Sequence, residues 1–315
     1  MKKDSQILIL GSKGLVGSAI KRELVKLKYK NIIEVGGKSE YDLRIRKNVD
    51  DILDKHKPDY VFSCSAKVGG IIANKTYPAE FIYDNIMINS NIIDSCYKHG
   101  VLKMLNLGSS CIYPKNAEQP LSEKSLLTSL LEPTNEPYAI AKIAAIKMCN
   151  AYNAQYGTNF ISVMPTNLYG LNDNYNPQNS HVIPGLIHKI YNAKLNKESH
   201  ITLWGTGKPL REFLHSDDLA KACILLMRKY DCVDVGEFIN IGSGQEYYIS
   251  KIALIISNII GYEGLIYFDH ENPDGTMRKV LDSTRIRNLG WEPKISIVKG
   301  IRQVFKDYKK ALKEI

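Results

Sequence analysis

The sequence predicts an α/β fold, a doubly wound parallel sheet with a smaller C-terminal lobe. Three observations carry that expectation. Short continuous apolar runs alternate with helical patterns through the first half; the first run ends in a spaced set of glycines; and Asn, Pro and Gly gather in one region, 171–210. Continuous apolar runs fit strands buried on both faces, as parallel strands are when helices cover the sheet above and below.

The run "QILILG" (6–11) leads into a helical pattern through Ile20–Leu27, and "NIIEVG" (31–36) into a polar helical stretch near 47–56. "YVFSCSA" (60–66) is followed by a long amphipathic helix over roughly 79–98, and "KMLNLGSS" (103–110) by another from about 138; "FISVMP" (160–165) comes next. The alternation resumes weakly in "LHSDDLAKACILLM" (214–227) and "EFINIGSG" (237–244), after a loop-rich region, 171–210. Open parallel sheets bind ligands beyond the carboxyl ends of their strands, so residues just after strands carry most weight.

At 315 residues, 44% apolar and 24% charged, the chain has ordinary globular composition and length for one large domain or two unequal lobes. "MKKDSQILILG" has too short an apolar run for a secretory leader, and no stretch approaches the ~18–20 apolar residues of a membrane span. A cytosolic protein with no membrane partner is expected. Six scattered cysteines without a C-x-x-C pair read as free thiols, most of them buried. Seven histidines show no ligand spacing, so no metal is expected. The net charge of +9 comes from lysines spread along the chain, with no basic run interleaved with aromatics. That speaks against nucleic acid and fits attraction of anionic ligands.

In "GSKGLVG", Gly11, Gly14 and Gly17 follow the first strand and open a helix, with Lys13, Leu15 and Val16 in the same loop. Glycines allow a tight turn and let the backbone approach a pyrophosphate, while the helix N-terminus offers unpaired N–H groups and partial positive charge. With a strand before and a helix after, this is a Rossmann-type dinucleotide signature. NAD sites usually carry an acidic residue ending the second strand. Here that strand runs into "EVGGKSE", with Lys38 beyond two glycines and Lys13 nearby. Two lysines suit a 2′-phosphate, so NADP(H) is the expected cofactor, with Glu34 as the counter-signal. Asp42, in "YDLR", is placed to contact the adenine. The expected division is 1–168 with 211–242 for the dinucleotide-binding unit, and 169–210 with 243–315 for a substrate-binding lobe.

"PYAIAK" holds Tyr138 and Lys142 four residues apart on one helix face, with Pro137 in the first turn. A lysine ammonium one turn away is expected to lower the phenol's pKa from its usual ~10. Such a pair can give a proton to a carbonyl oxygen as a hydride arrives. Ser109, after the fourth strand, can hold the same oxygen. Cys111, in "GSSCIYP", is an unusual neighbour there.

This set is similar to the extended short-chain dehydrogenase/reductases. The blocks "SAKVGGIIANKTYP" (65–78), "LGSSCIYP" (107–114), "EPTNEPYAIAK" (132–142), "VMPTNLYG" (163–170), "NSHVIP" (179–184), "WGTGKPLREFLHSDD" (204–218) and "NPDGTMRK" (272–279) narrow the match. Together they resemble the GDP-L-fucose synthase family over roughly 6–312. The resemblance implies conversion of GDP-4-keto-6-deoxy-D-mannose to GDP-L-fucose, with epimerisation at C3 and C5 before NADPH reduces C4. It implies that Cys111 and His181 act as base and acid of epimerisation, a thiol of pKa ~8.5 and an imidazole of ~6.5 being usable near neutral pH. It further places Leu107, Gly108, Ser110, Pro165, Thr166, Asn167, Leu168, Asn85 and His181 at the cofactor. Lys189, Trp204, Arg211 and Asp274 fall on positions that hold the nucleotide sugar.

The helices near 79–98 and 138–156 resemble those of the superfamily's four-helix dimer interface, so a homodimer is implied. Departures exist: "SCSAKVGG" replaces the usual alanines, the second strand ends in Gly-Gly, and Lys13 and Lys189 stand where arginine is common. Lysine lacks arginine's bidentate fork. An alternative inside the family is a C4 reductase of a GDP-4-keto-heptose. A non-catalytic NADP sensor is argued against by the intact Tyr138 and Lys142.

Overall fold

Each apolar run of the first half becomes a strand because both its faces are covered. The computed structural model describes residues 1–37, 40–271 and 274–312. In chain order these form β1 (Gln6–Leu10), α1 (Leu15–Lys26), β2 (Asn31–Val35), α2 (Arg46–His56), β3 (Tyr60–Ser63), α3 (Ile71–Thr76), α4 (Pro78–Lys98), β4 (Lys103–Leu107), α5 (Glu136–Tyr156), β5 (Phe160–Pro165) and β6 (Asn167–Tyr169). There follow α6 (Val182–Leu195), β7 (His200–Trp204), β8 (Leu210–His215), α7 (Ser216–Lys229), α8 (Cys232–Val235), β9 (Ile239–Ile241), β10 (Glu246–Tyr248), α9 (Ile249–Ile260), β11 (Leu265–Asp269), β12 (Arg278–Lys279), α10 (Thr284–Asn288) and α11 (Ile297–Ala311).

A parallel sheet runs β2-β1-β3-β4-β5-β9. Along β1, Ile7 and Ile9 enter the core shared with α1 and α7, while Leu8 and Leu10 enter the one shared with α2, α4 and α5. This is why no polar residue interrupts the run. From β2 the chain crosses back over β1 to β3, so the strand order reverses at the carboxyl ends of β1 and β3, where an open sheet leaves a crevice. Pro78 in the first turn of α4, and Gly157 at φ 65° beyond α5, begin and end two long helices at sites their residue types favour.

The remainder corrects two expectations. Region 171–210 is not all loop: α6 and β7 lie within it. Its Asn and Pro residues cluster before residue 181, whereas Ile183, Leu186, Ile187 and Ile190 repeat at helical spacing and are buried in a separate core with α9 and α11. The stretch 214–227 does give a helix on the first sheet, since Leu219, Ala222 and Leu226 of α7 join the α1 core. Its strand, β8, goes elsewhere, pairing antiparallel with β10 and parallel with β6 and β12. A further parallel pair, β7 with β11, edges this second unit. Among the described residues, no helix is long and apolar enough to cross a membrane. All six cysteines are free, and four are buried.

The segment after β4 is pinned to the sheet by Asn240 of β9, which is wholly buried. Its carboxamide accepts from the Tyr113 hydroxyl at 2.6 Å and donates to the carbonyls of Leu121 (2.9 Å) and Asp282 (3.2 Å). Asn240→Ala leaves the buried Tyr113 hydroxyl without its acceptor and is expected to cost about 1–3 kcal/mol of unfolding free energy by urea titration. A loss under half of that would show that water replaces the amide.

Candidate active site

The crevice at the strand reversal is floored by the glycine turn. Gly11 has φ 81°, and a Cβ there would lie 3.0 Å from the backbone of Cys64 and Ser65. A Cβ on Gly17 would overlap the Gly11 carbonyl, so α1 starts pressed against the turn. Gly14 caps α1 without a side-chain bond, and the Ser12 hydroxyl is buried without a partner among the described residues. Open N–H groups, an orphaned hydroxyl and a side-chain-free wall fit a pyrophosphate. Leu15 and Val16 pack into the core behind the turn. The Lys13 side chain reaches the end of β2, where a Cβ on Gly36 would meet its Cε at 2.8 Å. Glu34, the acidic counter-signal, is paired with Lys21 of α1 at 2.6 Å. Lys38 lies outside the described residues.

Two expected cofactor residues are engaged with protein. The Asp42 carboxylate accepts from Nε and Nη2 of Arg44 at 2.9 and 2.6 Å, and Arg44 continues to Asp84 at 2.8 Å. Asn85, fully buried, exchanges 3.0 Å bonds with the Lys67 backbone N–H and carbonyl and donates to Phe81 at 2.7 Å. It shapes the 65–70 loop.

A second group gathers at the end of β4. Gly108 has no room for a side chain beside Met164. Ser109 is extended, and its Oγ accepts the Cys111 N–H at 3.4 Å to cap the 3₁₀ turn Ser110–Ile112, in which Ser110 is buried. Tyr138, in the first turn of α5, is held edge-on by Phe81 at 6.2 Å between ring centroids. One turn on, Lys142 is buried; its Nζ lies 5.8 Å from the Tyr138 ring centroid and donates to the Leu107 carbonyl at 2.8 Å.

Burial dominates the electrostatics here. It lowers Lys142 to about 8, with the nearby Cys111 and Cys64 opposing. It raises Tyr138, with Cys111 adding to the rise and a Ser109 hydrogen bond opposing it. The expected lowering of the phenol by Lys142 is therefore overturned, because the ammonium is aimed at a carbonyl and the ring is desolvated. Tyr138 keeps its proton at neutral pH. Burial also raises Cys111, opposed first by Lys279, then by the Ser109 hydrogen bond and Lys142.

His181 stands apart as the N-cap residue of α6. Its loop is tied to the crevice by the Gly70 N–H, which donates to the Asn179 carbonyl at 3.3 Å. The residue is exposed, yet the protein crowding around its ring pushes its pKa below the ordinary histidine value by desolvation. Among the described residues no side-chain hydrogen bond joins it to the Ser109 group.

On the second unit, Lys189 of α6 donates to the Thr202 carbonyl. Trp204 ends β7 and is 63% exposed. Arg211 of β8 is lowered in pKa by burial, with Asp274 opposing. Asp274 itself accepts from the N–H (2.9 Å) and hydroxyl (2.6 Å) of Thr206, holding the turn after Trp204. Between the units, Pro165 ends β5, Thr166 donates its N–H to Ile241 (3.1 Å), the Asn167 amide donates to Glu212 (2.9 Å), and Leu168 packs behind the α1 core. Lys279 is the residue that sequence reasoning missed. It occupies a two-residue strand, too short for alternation to show which way it points.

The fold and crevice define a Rossmann-type nucleotide-binding protein with a polar Ser/Tyr/Lys group beside the glycine turn, its lysine buried. Residues 7–242 match the NAD dependent epimerase/dehydratase family. GDP-L-fucose synthase 1 of Arabidopsis thaliana is 50% identical over 308 residues, 98% of this chain and 94% of that protein. A GDP-L-fucose synthetase of Naegleria fowleri, solved bound to NADP, is 30% identical with TM-score 0.91, covering 99% of this chain and 95% of that one. MlghC, a GDP-mannoheptose C4 reductase from Campylobacter jejuni with NADP bound, is 37% identical with TM-score 0.91, covering 98% and 99%. The chain belongs to the NAD dependent epimerase/dehydratase family and, within it, to the GDP-L-fucose synthases.

Lys142 is expected to titrate near 8 in lysine-selective NMR. A midpoint at the ordinary ~10.4 would mean a solvated ammonium.

Proposed function

We propose that the protein converts GDP-4-keto-6-deoxy-D-mannose to GDP-L-fucose by C3 and C5 epimerisation followed by C4 reduction with NADPH. The observation that carries this is the gathering of half-buried Ser109 and Tyr138 with buried Cys111 and Lys142 at the end of β4. The higher identity to a synthase (50%) than to a C4 reductase (37%) supports the same reading.

NADPH, when bound, supplies the hydride. In the proposed arrangement Gly11, Gly14, Gly17 and the open end of α1 hold its pyrophosphate, and Lys13 with Lys38 its 2′-phosphate. Leu107, Gly108, Ser110 and Pro165–Leu168 line it, with Asp42 and His181 beside it; Asn85 acts through the Lys67 backbone. Lys142, by donating to the Leu107 carbonyl, fixes α5 and hence Tyr138 against the end of β4. Tyr138, protonated at neutral pH, gives its proton to the C4 oxygen, which the Ser109 hydroxyl steadies. The C4 ketone acidifies the protons at C3 and C5. Cys111 removes each proton, the electron pair moving onto the C4 oxygen as an enolate, and His181 returns one on the opposite face. Lys189 and Arg211 neutralise the diphosphate and Trp204 offers a flat face to the base. Asp274 holds the turn beside Trp204.

The units 1–168 with 211–242 and 169–210 with 243–315 divide these tasks between cofactor and sugar. The proposal extends to a cytoplasmic homodimer through α4 and α5, whose Tyr83 and Tyr156 are 60% and 45% exposed.

Incubation with GDP-4-keto-6-deoxy-D-mannose in deuterated water is expected to give GDP-L-fucose labelled at C3 and C5, faster with NADPH than with NADH. Tyr138→Phe is expected to lower reduction ~10²–10⁴-fold. Reduced sugar without label would assign C4 reduction alone. Light scattering should give twice the chain mass, and a monomer would remove the α4/α5 interface from the proposal.

A further inference from the structure

Lys279 is turned into the protein beside the Cys111 thiol. On β12 its neighbour Arg278 is forked outward onto Glu246 of β10 at 2.8 and 2.6 Å. Alternation along a strand then sends Lys279 to the opposite face. There it lines a cavity of about 40 Å³ with Cys111, Tyr113, Gln119, Glu132 and Asn135. Register pairs it with Arg211 of β8, and the N–H of Leu281, two residues on, is bonded to the buried Glu212 at 3.0 Å, so the strand cannot drift from the pocket.

We propose that Lys279 is the counter-cation of the Cys111 thiolate, a positioning residue that makes this thiol usable as the base of epimerisation. The inference rests on the function proposed above for its chemical role, but the pairing itself is measurable without substrate. When a C3 or C5 proton moves to sulfur, the C–H electron pair passes to the C4 oxygen and the thiolate becomes a neutral thiol. Lys279 donates no proton in that step; its charge stabilises the sulfur anion beforehand. The groups facing the pair are few. Arg211 and Glu132 act on Lys279 from β8 and from the loop before α5, while Lys142, Tyr138 and Ser109 face the thiol from α5 and the end of β4. Glu132 is itself engaged by Lys115 at 3.2 Å, which leaves the sulfur as the main anion available to Lys279. Burial pushes Cys111 up and Lys279 down, and in each the other partner is the largest opposing influence.

The test is the ultraviolet titration of thiolate in the full chain, taken as the difference between wild type and Cys111→Ser to isolate one sulfur. Lys279→Met is expected to move the Cys111 midpoint upward by at least about one pH unit, a tenfold loss of thiolate below it. Lys279→Arg keeps the charge and is expected to restore most of it. The pH profile of deuterium uptake at C3 and C5 is expected to follow the same displacement. An unmoved midpoint in Lys279→Met, with any defect confined to KM, would overturn the pairing and make Lys279 a substrate contact. If Lys279→Met unfolds, the same comparison in Lys279→Gln decides. A displaced midpoint in a wild-type background that shows no deuterium uptake would leave the pairing standing and remove the epimerase reading instead.

Discussion

The buried carboxylate of Glu212 joins the two units of this protein. It is fully inaccessible, and its oxygens accept the N–H groups of Gly244 at 2.6 Å and Leu281 at 3.0 Å. Its own carbonyl receives the side chains of Thr166 at 3.3 Å and Asn167 at 2.9 Å. Three separate stretches are thus tied to β8: the exit from β5, the approach to β10, and the segment that follows Lys279. Burial raises the carboxyl's pKa, and the two backbone N–H bonds and Thr166 oppose the rise. Charge-assisted bonds to backbone groups offset the desolvation of such an anion only where every donor is held in place. The crevice between the glycine turn and the second unit therefore inherits its geometry in part from one buried residue that lines neither the turn nor the Ser109 group.

Within that crevice a single physical condition acts on all the titratable groups. Exclusion of water favours their neutral forms, raising Tyr138 and Cys111 and lowering Lys142 and Lys279. For an acid that must keep its proton until a ketone oxygen becomes basic, this is the useful direction. For a base it is the wrong one, and the protein supplies cations near the thiol. One pocket can serve opposite proton tasks because charge is distributed unevenly inside it.

Much of the first unit was legible in the sequence. Buried parallel strands show as unbroken apolar runs, and the glycine spacing has meaning only between a strand and a helix, where it was found. Tyr138 and Lys142 were legible because a helix fixes their relation four residues apart. What escaped depends on contacts distant in sequence. That Glu34 is taken up by Lys21, that Asp42 is gripped by Arg44, and that Asn85 serves the Lys67 backbone appear only when the chain is folded. The direction of Tyr138's shift escaped for a related reason: i, i+4 spacing says that two side chains are neighbours, not where the ammonium points. In region 171–210, turn residues before 181 masked the helical repeat behind them.

The burial of Cys111 bears on endurance as well as on its proposed role as a base. Peroxides and disulfides attack the thiolate, and access governs how quickly. A thiol on a residue only 7% exposed, its pKa pushed up by burial, offers oxidants little to react with. A residue type prone to irreversible damage is thereby kept where oxidants reach it least.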